Sequence, residues 1–244
     1  MILLDTFQSP MDVVIVGSSG GIGKALIEHL VNNDAVASIQ GFCRSSCPIE
    51  HEKLTNHHID VVDESSIIDA KSHLKPFDLL IIATGMLHQE NVKPEKRVQD
   101  LNSDTLQAYF AINTIGPMLV AKHFHDHMKH ENKSVIAFLS AKVGSIEDNA
   151  LGGWYGYRSS KAALNVSMHN LSIEVQRFHP NSIVVGLHPG TVATNLSEPF
   201  SKNLDHSHIF STDDAAEKLL TVINGLDQQH SGSVISHDGS VLPF

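Results

Sequence analysis

The feature that most constrains the fold of this chain is a branched apolar run that leads straight into a glycine-rich turn. Residues 13–16 read Val-Val-Ile-Val, and residues 17–23 read Gly-Ser-Ser-Gly-Gly-Ile-Gly. The run predicts a strand that is buried on both faces, and a helical pattern begins at Ile22. Glycines at such a junction let backbone N–H groups approach a ligand, and the positive helix end attracts a phosphate. We therefore predict a dinucleotide-binding turn. Its Gly-x-x-x-Gly-x-Gly spacing differs from the general fingerprint, and a ligand-free connection is the alternative.

Composition argues against several classes of protein. The 244 residues, 41% of them hydrophobic, suit one α/β domain, which we expect to span residues 1–244. A formal net charge of −10 argues against a general nucleic-acid-binding surface. No apolar stretch approaches the roughly 18 residues of a membrane span, and residues 1–11 lack the pattern of a signal peptide. Cys43 and Cys47 are expected to be reduced thiols, so we expect a cytoplasmic protein without membrane partners.

Strand and helix patterns alternate along the whole chain. Apolar runs predict further strands at residues 35–43, 57–62, 77–85, 134–140, 182–187 and 233–236. Helical periodicity predicts helices at 63–74, 103–130 and 155–178, and a last helix with Thr212 as its N-cap. Residues 191–210 have a weak pattern and are expected to form a substrate lid. The predicted fold is α/β, a single-domain Rossmann-type doubly wound parallel sheet with helices on both faces.

Arg44 indicates which dinucleotide the chain would bind. It lies 21 positions after Gly23, where this fold binds the adenosine ribose. An acid there binds the free 2′-hydroxyl, whereas an arginine binds a 2′-phosphate, but no Asp or Glu occurs between Ile39 and Ser46. A guanidinium grips a phosphate in bidentate fashion. The sequence therefore favours NADP over NAD, with an ordinary surface arginine as the alternative.

Tyr157 and Lys161 form the strongest candidate pair for chemistry. Their spacing places both side chains on one face of the helix that follows the Ser140 strand. A phenol has a pKa of about 10 and exchanges protons near neutrality only where a cation favours the phenolate, which Lys161 would do. Tyr157 would then act as general acid toward a carbonyl oxygen, or as base toward an alcohol. Ser140 could hydrogen-bond the same oxygen, and a cofactor would supply the hydride.

Taken together, the motifs resemble the short-chain dehydrogenases/reductases from about Val13 to Leu242. The matching features, in chain order, are the glycine turn, Asn113 in mid-helix, Tyr157-x-x-x-Lys161 and Pro189-Gly190-x-Val192-x-Thr194. Residues 140–146, 152–158 and 238–244 resemble more narrowly the branch that contains the sniffer-type carbonyl reductases and the C-factor signalling proteins.

The resemblance implies a role for each matching residue. Tyr157 would be the acid/base, Lys161 would lower its pKa and hold the nicotinamide ribose, Ser140 would orient the substrate, and Asn113 would hold a water in a proton relay. The cofactor would be bound by Gly17, Ser19, Gly21, Ile22, Gly23, Arg44, Ser45, Asp60, Val61, Ala83, Thr84, Gly85, Asn113, Tyr157, Lys161, Pro189, Gly190, Val192 and Thr194. Within that set, Asp60 would contact the adenine or cap the following turn. The long helices around Asn113 and Tyr157 usually build a homodimer or homotetramer interface in this family.

One departure from the family pattern concerns the catalytic serine. In the family it usually lies three residues before a glycine, a position that Ala141 fills before Gly144. Ser140 is one residue away, and Ser145 is a rival for its role. The predicted function is hydride transfer between NADP(H) and a small-molecule carbonyl or alcohol substrate. The alternative is a non-catalytic dinucleotide-binding signalling protein of C-factor type.

Histidines are unusually frequent, and three of them suggest a metal site. Of the 17 histidines, His123, His127 and His130 share one face of the predicted helix at i, i+4 and i+7. Zinc is the metal ion that such a face could bind. No carboxylate or cysteine completes a tetrahedral set, so we predict a polar exposed face or a subunit contact and expect no metal.

Overall fold

The computed structural model describes residues 3–89, 92–194, 196–197 and 209–244. The described strands are, in chain order, β1 (Met11–Val16), β2 (Val36–Cys43), β3 (Leu54–His58), β4 (Leu79–Ile82), β5 (Ser134–Leu139), β6 (Ser182–His188), β7 (Thr191–Val192), β8 (Ile209–Phe210), β9 (Val234–Ser236) and β10 (Val241–Leu242). Eight of them form one sheet in the order β10-β9-β6-β5-β4-β1-β2-β3. All neighbouring pairs in this sheet are parallel except β9 and β10.

Helices cover both faces of the sheet. The described α-helices are α1 (Gly21–Val31), α2 (Glu64–Lys71), α3 (Ser103–Phe110), α4 (Gly116–Phe124), α5 (Tyr155–Phe178) and α6 (Thr212–Gly225). On one face α1 packs beside α6, and on the other α2, α4 and α5 pack side by side. The strand order reverses between β1 and β4, and the predicted doubly wound fold is thereby confirmed. None of the helices described is long and apolar enough to cross a membrane.

The apolar run in β1 is explained by burial on both faces. Val13 and Ile15 belong to the core formed with α1 and α6, whereas Val14 and Val16 belong to the core formed with α2, α4 and α5. Successive strand residues point to opposite faces, so a central strand needs apolar side chains at every position. The same division holds along β4, β5 and β6. The cores therefore hold the carboxyl ends of these strands at one edge of the sheet.

The predicted bounds of two strands were wrong: one strand starts and ends earlier in the chain than predicted, and the other is shorter. The third was predicted at residues 57–62, but β3 pairs with β2 from Leu54 opposite Ile39 to His58 opposite Cys43. Asp60 and Val61 consequently lie beyond the strand end. The fourth, predicted at 77–85, pairs with its neighbours only over Leu79–Ile82. The length of a short strand depends on how far the neighbouring strand pairs with it. The hydrophobic pattern of one segment does not specify that pairing.

The predicted helix at residues 103–130 is divided into four pieces. A π-helical turn, Ala111–Ile115, joins α3 to α4, and a 3₁₀ turn, His125–His127, follows α4. Pro117 has no N–H to donate to the carbonyl of Asn113, which weakens α-helical geometry there. The last helix also starts differently from prediction. Its N-cap is Ser211, not Thr212, because the Ser211 hydroxyl accepts the N–H of Asp214 in a capping box.

The shared histidine face is absent from this structure. Because α4 ends at Phe124, His127 and His130 do not continue the helical spacing from His123. His123 lies 2.8 Å from a carboxylate oxygen of Glu64, and His130 stacks on His179. Among the described residues, no group of three His, Cys, Asp or Glu side chains could hold a metal ion.

Gly116 offers a test of the helix packing. A Cβ on Gly116 would lie 2.6 Å from the backbone oxygen of Val61, whereas a Cβ on Gly225 would meet no atom within 4 Å. We expect Gly116→Ala to lower the free energy of unfolding by about 1–3 kcal/mol through overpacking. Gly225→Ala is the matched control and should be neutral or stabilising by up to about 1 kcal/mol. Urea unfolding measures both, and equal stabilities of the two variants would contradict the packing argument.

Candidate active site

The glycine turn is locked by backbone contacts that exclude any side chain. Gly17 has a φ of +92°, and a Cβ there would lie 3.0 Å from the carbonyl carbon of Ala83. A Cβ on Gly23 would lie only 2.2 Å from the carbonyl oxygen of Gly17. The N–H groups of Gly17 and Ser18 both donate to the carbonyl of Phe42, at 2.7 and 3.2 Å. The turn therefore joins the ends of β1, β2 and β4 to the start of α1.

The amino end of α1 is left open for an anion. Its N-cap is Gly20, which has no side chain to cap the helix, and its first turn carries no acidic residue. The first N–H groups of a helix lack partners within it and form its positive end. Thr194 packs on this turn, since a Cβ on Gly21 would lie 2.9 Å from its methyl carbon. The turn thus has the chemistry of a phosphate site, and the segment after β6 reaches it.

Two hydroxyls at the strand ends lack protein partners. Ser18 Oγ and Thr84 Oγ1 are buried and, among the described residues, make no hydrogen bond. Buried polar atoms are nearly always paired, by protein, water or ligand. Ser18 belongs to the glycine turn and Thr84 follows β4, where a cofactor was predicted to bind. These orphaned hydroxyls fit a polar ligand across the crevice.

The end of β2 brings the predicted ribose-binding residues beside the glycine turn. Ser45 Oγ lies 3.1 Å from Ser19 Oγ, and the Cys43 thiol donates to the carbonyl of Ser45 at 2.6 Å. Arg44 is exposed and makes no ion pair with the residues described. Its guanidinium is therefore available to an anion.

Asp60 and Val61 form a turn between β3 and α2. Asp60 Oδ1 accepts the N–H of Val62 at 3.2 Å, and the N–H of Asp60 donates to Ser66 Oγ at 2.9 Å. The N-cap of α2 itself is Asp63. The sequence left open whether Asp60 meets a ligand or holds the next turn, and in this structure it holds the turn.

Asn113 links three elements at the end of β4. Its Oδ1 accepts the N–H of Met86 at 2.7 Å, and its Nδ2 donates to the carbonyl of Met86 at 2.9 Å and to Ser160 Oγ at 3.1 Å. A Cβ on Gly85 would lie 3.6 Å from Lys161 Nζ and 3.7 Å from Asn113 Oδ1. The structure therefore brings Gly85, Asn113 and Lys161 together.

Tyr157 and Lys161 are both buried, and burial controls their protonation. Lys161 Nζ donates to the carbonyl of Leu139 at 2.8 Å, and desolvation lowers the pKa of Lys161 to about 8. Desolvation raises the pKa of Tyr157 to about 12. The sequence-based expectation was that Lys161 lowers the pKa of Tyr157. In this structure desolvation is the cause of the shift, and the phenol carries its proton at neutral pH.

The two candidate serines are both engaged by the protein. Ser140 is buried, and its hydroxyl donates to Asn165 Oδ1 at 2.5 Å. Ser145 is also buried, and its Oγ accepts the N–H of Asp148 at 3.0 Å. Ala141, at the family's serine position, precedes the 3₁₀ turn Lys142–Gly144. Neither serine is held by Tyr157 or Lys161 in the hydrogen bonds of the described residues.

An apolar cluster surrounds the ring of Tyr157 and was not predicted from the sequence. The ring centroids of Tyr109 and Trp154 each lie 6.2 Å from that of Tyr157, and Met86 and Leu87 complete the buried group. Tyr109 Oη donates to the carbonyl of Leu87 at 2.7 Å. The one sequence signal was the Gly152-Gly153 pair before Trp154, which permits positive φ angles there.

The segment after β6 closes on a small parallel pair of strands. Gly190 has a φ of +78°, and a Cβ there would lie 2.8 Å from the ring of Phe210. Val192 in β7 pairs with Phe210 in β8. The predicted lid at 191–210 falls largely on residues 195 and 198–208, which lie outside the described residues. Pro189 lies just before the predicted lid, and Thr194 belongs to the part of it that the structure describes.

Known proteins resemble the chain over nearly its full length. The family model described as short chain dehydrogenase matches residues 12–205. An uncharacterised oxidoreductase of Schizosaccharomyces pombe is 26% identical, covering 94% of this chain and 96% of its own length. The C-signal protein of Myxococcus xanthus is 30% identical over 59% of this chain and 82% of its own length.

Solved structures share the fold. The carbonyl reductase Sniffer of D. melanogaster superposes with a TM-score of 0.83 at 21% identity, covering 96% of this chain and 99% of that one. The NADPH-bound carbonyl reductase from chicken fatty liver gives the same TM-score at 22% identity, covering 98% and 96%.

Burial of Lys161 predicts a pH-dependent cost to folding. Its pKa is about 8 in the folded chain against 10.5 for the exposed amine, so the unfolded chain binds more protons between these values and stability rises with pH. We expect Lys161→Met to be more stable relative to wild type at pH 7 than at pH 10.5. The difference should be on the order of 3 kcal/mol. Urea unfolding across this range measures it. Lys24→Met is the control with a constant difference, since the Lys24 side chain is 44% exposed on α1. A constant difference for Lys161→Met would refute the buried charge.

Proposed function

The chain belongs to the short chain dehydrogenase family, and we propose that it is an oxidoreductase that transfers a hydride between NADP(H) and a carbonyl or alcohol substrate. The observation that carries this proposal is the convergence of Lys161 and Asn113 beside Gly85 at the strand ends, with Tyr157 one helical turn before Lys161 on α5. A protein that only sensed a dinucleotide would have no need of a buried phenol and a buried amine one helical turn apart. The alternative, a non-catalytic dinucleotide-binding signalling protein, is supported by the similarity to C-signal, which covers only 59% of this chain.

The open crevice fits a dinucleotide. The glycine turn and the start of α1 would hold the pyrophosphate, Arg44 and Ser45 the 2′-phosphate, Val61 the adenine, and the Pro189–Thr194 segment the carboxamide. The orphaned hydroxyls of Ser18 and Thr84 support a polar ligand there. The similar chicken carbonyl reductase was solved with NADPH bound. When bound, the cofactor supplies the hydride.

Burial keeps Tyr157 in the protonated form that the reduction of a carbonyl uses. A phenol whose pKa is raised to about 12 holds its proton at neutral pH and can donate it to a carbonyl oxygen. Acting as a base toward an alcohol would require the phenolate, which this environment disfavours. Lys161, with a pKa of about 8, is largely protonated at pH 7 and would stabilise the phenolate that remains after the transfer. The protonated phenol is thus suited to the proton-donating step of carbonyl reduction.

Lys161 and Asn113 would return the proton to Tyr157. The carbonyl of Asn113 lies in the π turn, where Pro117 cannot donate to it as a residue at i+4 normally does. A carbonyl without that donor can hold a water. Such a water would connect Lys161 to solvent and allow the phenol to be reprotonated between turnovers.

Apolar walls suggest the class of substrate. Tyr157 belongs to a buried cluster with Met86, Leu87 and Tyr109. The apolar side chains packed against this cluster are Val92, Ala108, Ile112, Val143, Trp154 and Leu196. With Ala141 at the family's serine position and Ser140 bonded to Asn165, Tyr157 is the main hydrogen-bond donor for the substrate oxygen. The substrate is therefore an apolar aldehyde or ketone, positioned chiefly by shape.

The exposed face of α5 supports the expected homodimer or homotetramer. Val166 and Ile173, seven residues apart and therefore on the same face of this helix, are 60% and 42% exposed. Apolar side chains clustered on one helix are typical of a surface that a second subunit covers. The proposed oligomer would thus stiffen the helix that carries Tyr157.

Tyr157 provides the direct test of the mechanism. We expect Tyr157→Phe to lower kcat for NADPH-dependent reduction by about 10²–10⁴-fold, because the proton donor is lost. The dissociation constant of NADPH should stay within about twofold of wild type, since the ring remains. Tyr155→Phe, two residues earlier and 40% exposed, is the matched control and should keep full activity. NADPH oxidation with a panel of aromatic aldehydes and ketones measures both, and an active Tyr157→Phe enzyme would rule out the mechanism.

Arg44 tests the choice of dinucleotide. We expect Arg44→Ala to raise the dissociation constant of NADPH by about 10-fold or more, through loss of a charged contact to the 2′-phosphate. The dissociation constant of NADH should change little. Arg177→Ala, an exposed arginine near the end of α5, should alter neither. Fluorescence titration with both cofactors gives the constants, and equal changes for NADPH and NADH would remove Arg44 from this role.

A further inference from the structure

Glu95 is a buried carboxylate that neither the motifs nor the proposed reaction uses. It is 3% exposed, and within the described residues it has no ion-pair partner. Its Oε1 atom is buried and, in that same part of the chain, accepts no hydrogen bond. Burying a carboxylate costs several kcal/mol unless other groups compensate for the lost hydration.

The start of α5 provides the compensation. Glu95 Oε2 accepts the N–H of Gly156 at 3.1 Å, and the carbonyl of Glu95 accepts the N–H of Trp154 at 2.5 Å. Helix α5 has 24 residues, so its amino end carries a substantial partial positive charge. The carboxylate lies at that end and is stabilised by it.

Helix α5 has no cap of its own. Its N-cap is Trp154, in left-handed conformation with φ 51° and ψ 42°, and an indole has no oxygen to accept an N–H. Its first turn carries no acidic residue. Glu95, which lies 61 residues earlier in the chain, therefore does what an N-cap side chain usually does.

This remote cap acts on the turn that carries Tyr157. Gly156, which donates to Glu95, immediately precedes Tyr157. A Cβ on Gly156 would lie 2.4 Å from the ring of Tyr109 and 2.9 Å from Glu95 Oε1, so this contact leaves no room for the backbone to shift. Trp154, held by the carbonyl of Glu95, packs its ring against Tyr157. The same residue thus fixes the helix start and one of the rings beside the phenol.

We infer that Glu95 is a positioning residue that sets the place of the Tyr157 hydroxyl through the backbone of Trp154 and Gly156. This inference rests on the proposed role of Tyr157. Displacing a reacting group by about 1 Å can cost on the order of 100-fold in rate. The length of the Glu95 side chain is the property that matters, because it brings the acceptor oxygen to the N–H of Gly156.

Two substitutions separate length from charge. Glu95→Gln keeps the length and an acceptor oxygen but removes the charge, whereas Glu95→Asp keeps the charge and shortens the side chain by one methylene. We expect Glu95→Gln to retain kcat within about threefold and Glu95→Asp to lose about tenfold or more. The dissociation constant of NADPH should stay near wild type in both. Kinetics with 4-nitrobenzaldehyde and NADPH, and fluorescence titration of NADPH, give these values.

A second helix cap controls for stability. Asn102 caps α3 through its side chain, which accepts the N–H groups of Asp104 and Thr105. Asn102→Ala should lower the melting temperature, as loss of a cap does, with kcat unchanged. A loss of kcat in Glu95→Asp that Asn102→Ala does not share, at comparable melting temperatures, supports positioning. Full kcat in Glu95→Asp, or a lower kcat in Glu95→Gln than in Glu95→Asp, would overturn it.

These outcomes are distinguishable from failure of the proposed function. A wild-type protein that reduces no carbonyl compound, or a Tyr157→Phe variant that is fully active, would overturn the reaction itself. An active wild type and an inactive Tyr157→Phe, together with a fully active Glu95→Asp, would overturn only the role of Glu95.

Discussion

The site depends on one backbone contact, the approach of Gly23 in α1 to the carbonyl of Gly17. The gap admits a hydrogen but no methyl group, so it fixes where the helix starts relative to β1. Since Gly17 also packs on Ala83 and donates to Phe42, the same contact sets the distances between the ends of β1, β2 and β4. The open amino end of α1 consequently faces the crevice at the switch point of the sheet. Everything that binds there is placed relative to this junction.

The chemistry, by contrast, depends on side chains that are costly to bury. Tyr157, Lys161, Asn113 and Glu95 are each at least nine-tenths buried. Burial disfavours the charged form of a group, which raises the pKa of Tyr157 and lowers that of Lys161. A phenol that keeps its proton and an amine that titrates near neutrality are suited to giving and replacing one proton. The stability lost to burial is a property of the site rather than a defect of the core.

Sequence could predict the features that are local in the chain. The glycine spacing, the Tyr157–Lys161 interval and the apolar runs each depend on neighbours a few residues away, and the doubly wound sheet followed from them. The extent of β3, the π turn at Asn113 and the direction of the Tyr157 pKa shift depend on packing between distant elements. Glu95 escaped prediction for the same reason, because its partner lies 61 residues further along. A lone glutamate after a proline carries no sign of that contact.

The two halves of the site therefore differ in how they resist change. The nucleotide half is shaped by backbone, so glycine is required at Gly17 and Gly23. The catalytic half is shaped by side chains that hold one another, with Asn113 bonded to Ser160 and Glu95 to the turn before Tyr157. Ala141 fits this division. With the serine hydroxyl of the family pattern absent, orientation of the substrate rests on the precise setting of Tyr157 and on the apolar walls around it. A chain that relies on a single donor has more need of a rigid support for it. Glu95 and Asn113, which both precede α5 in the chain, supply that support through Gly156 and Ser160.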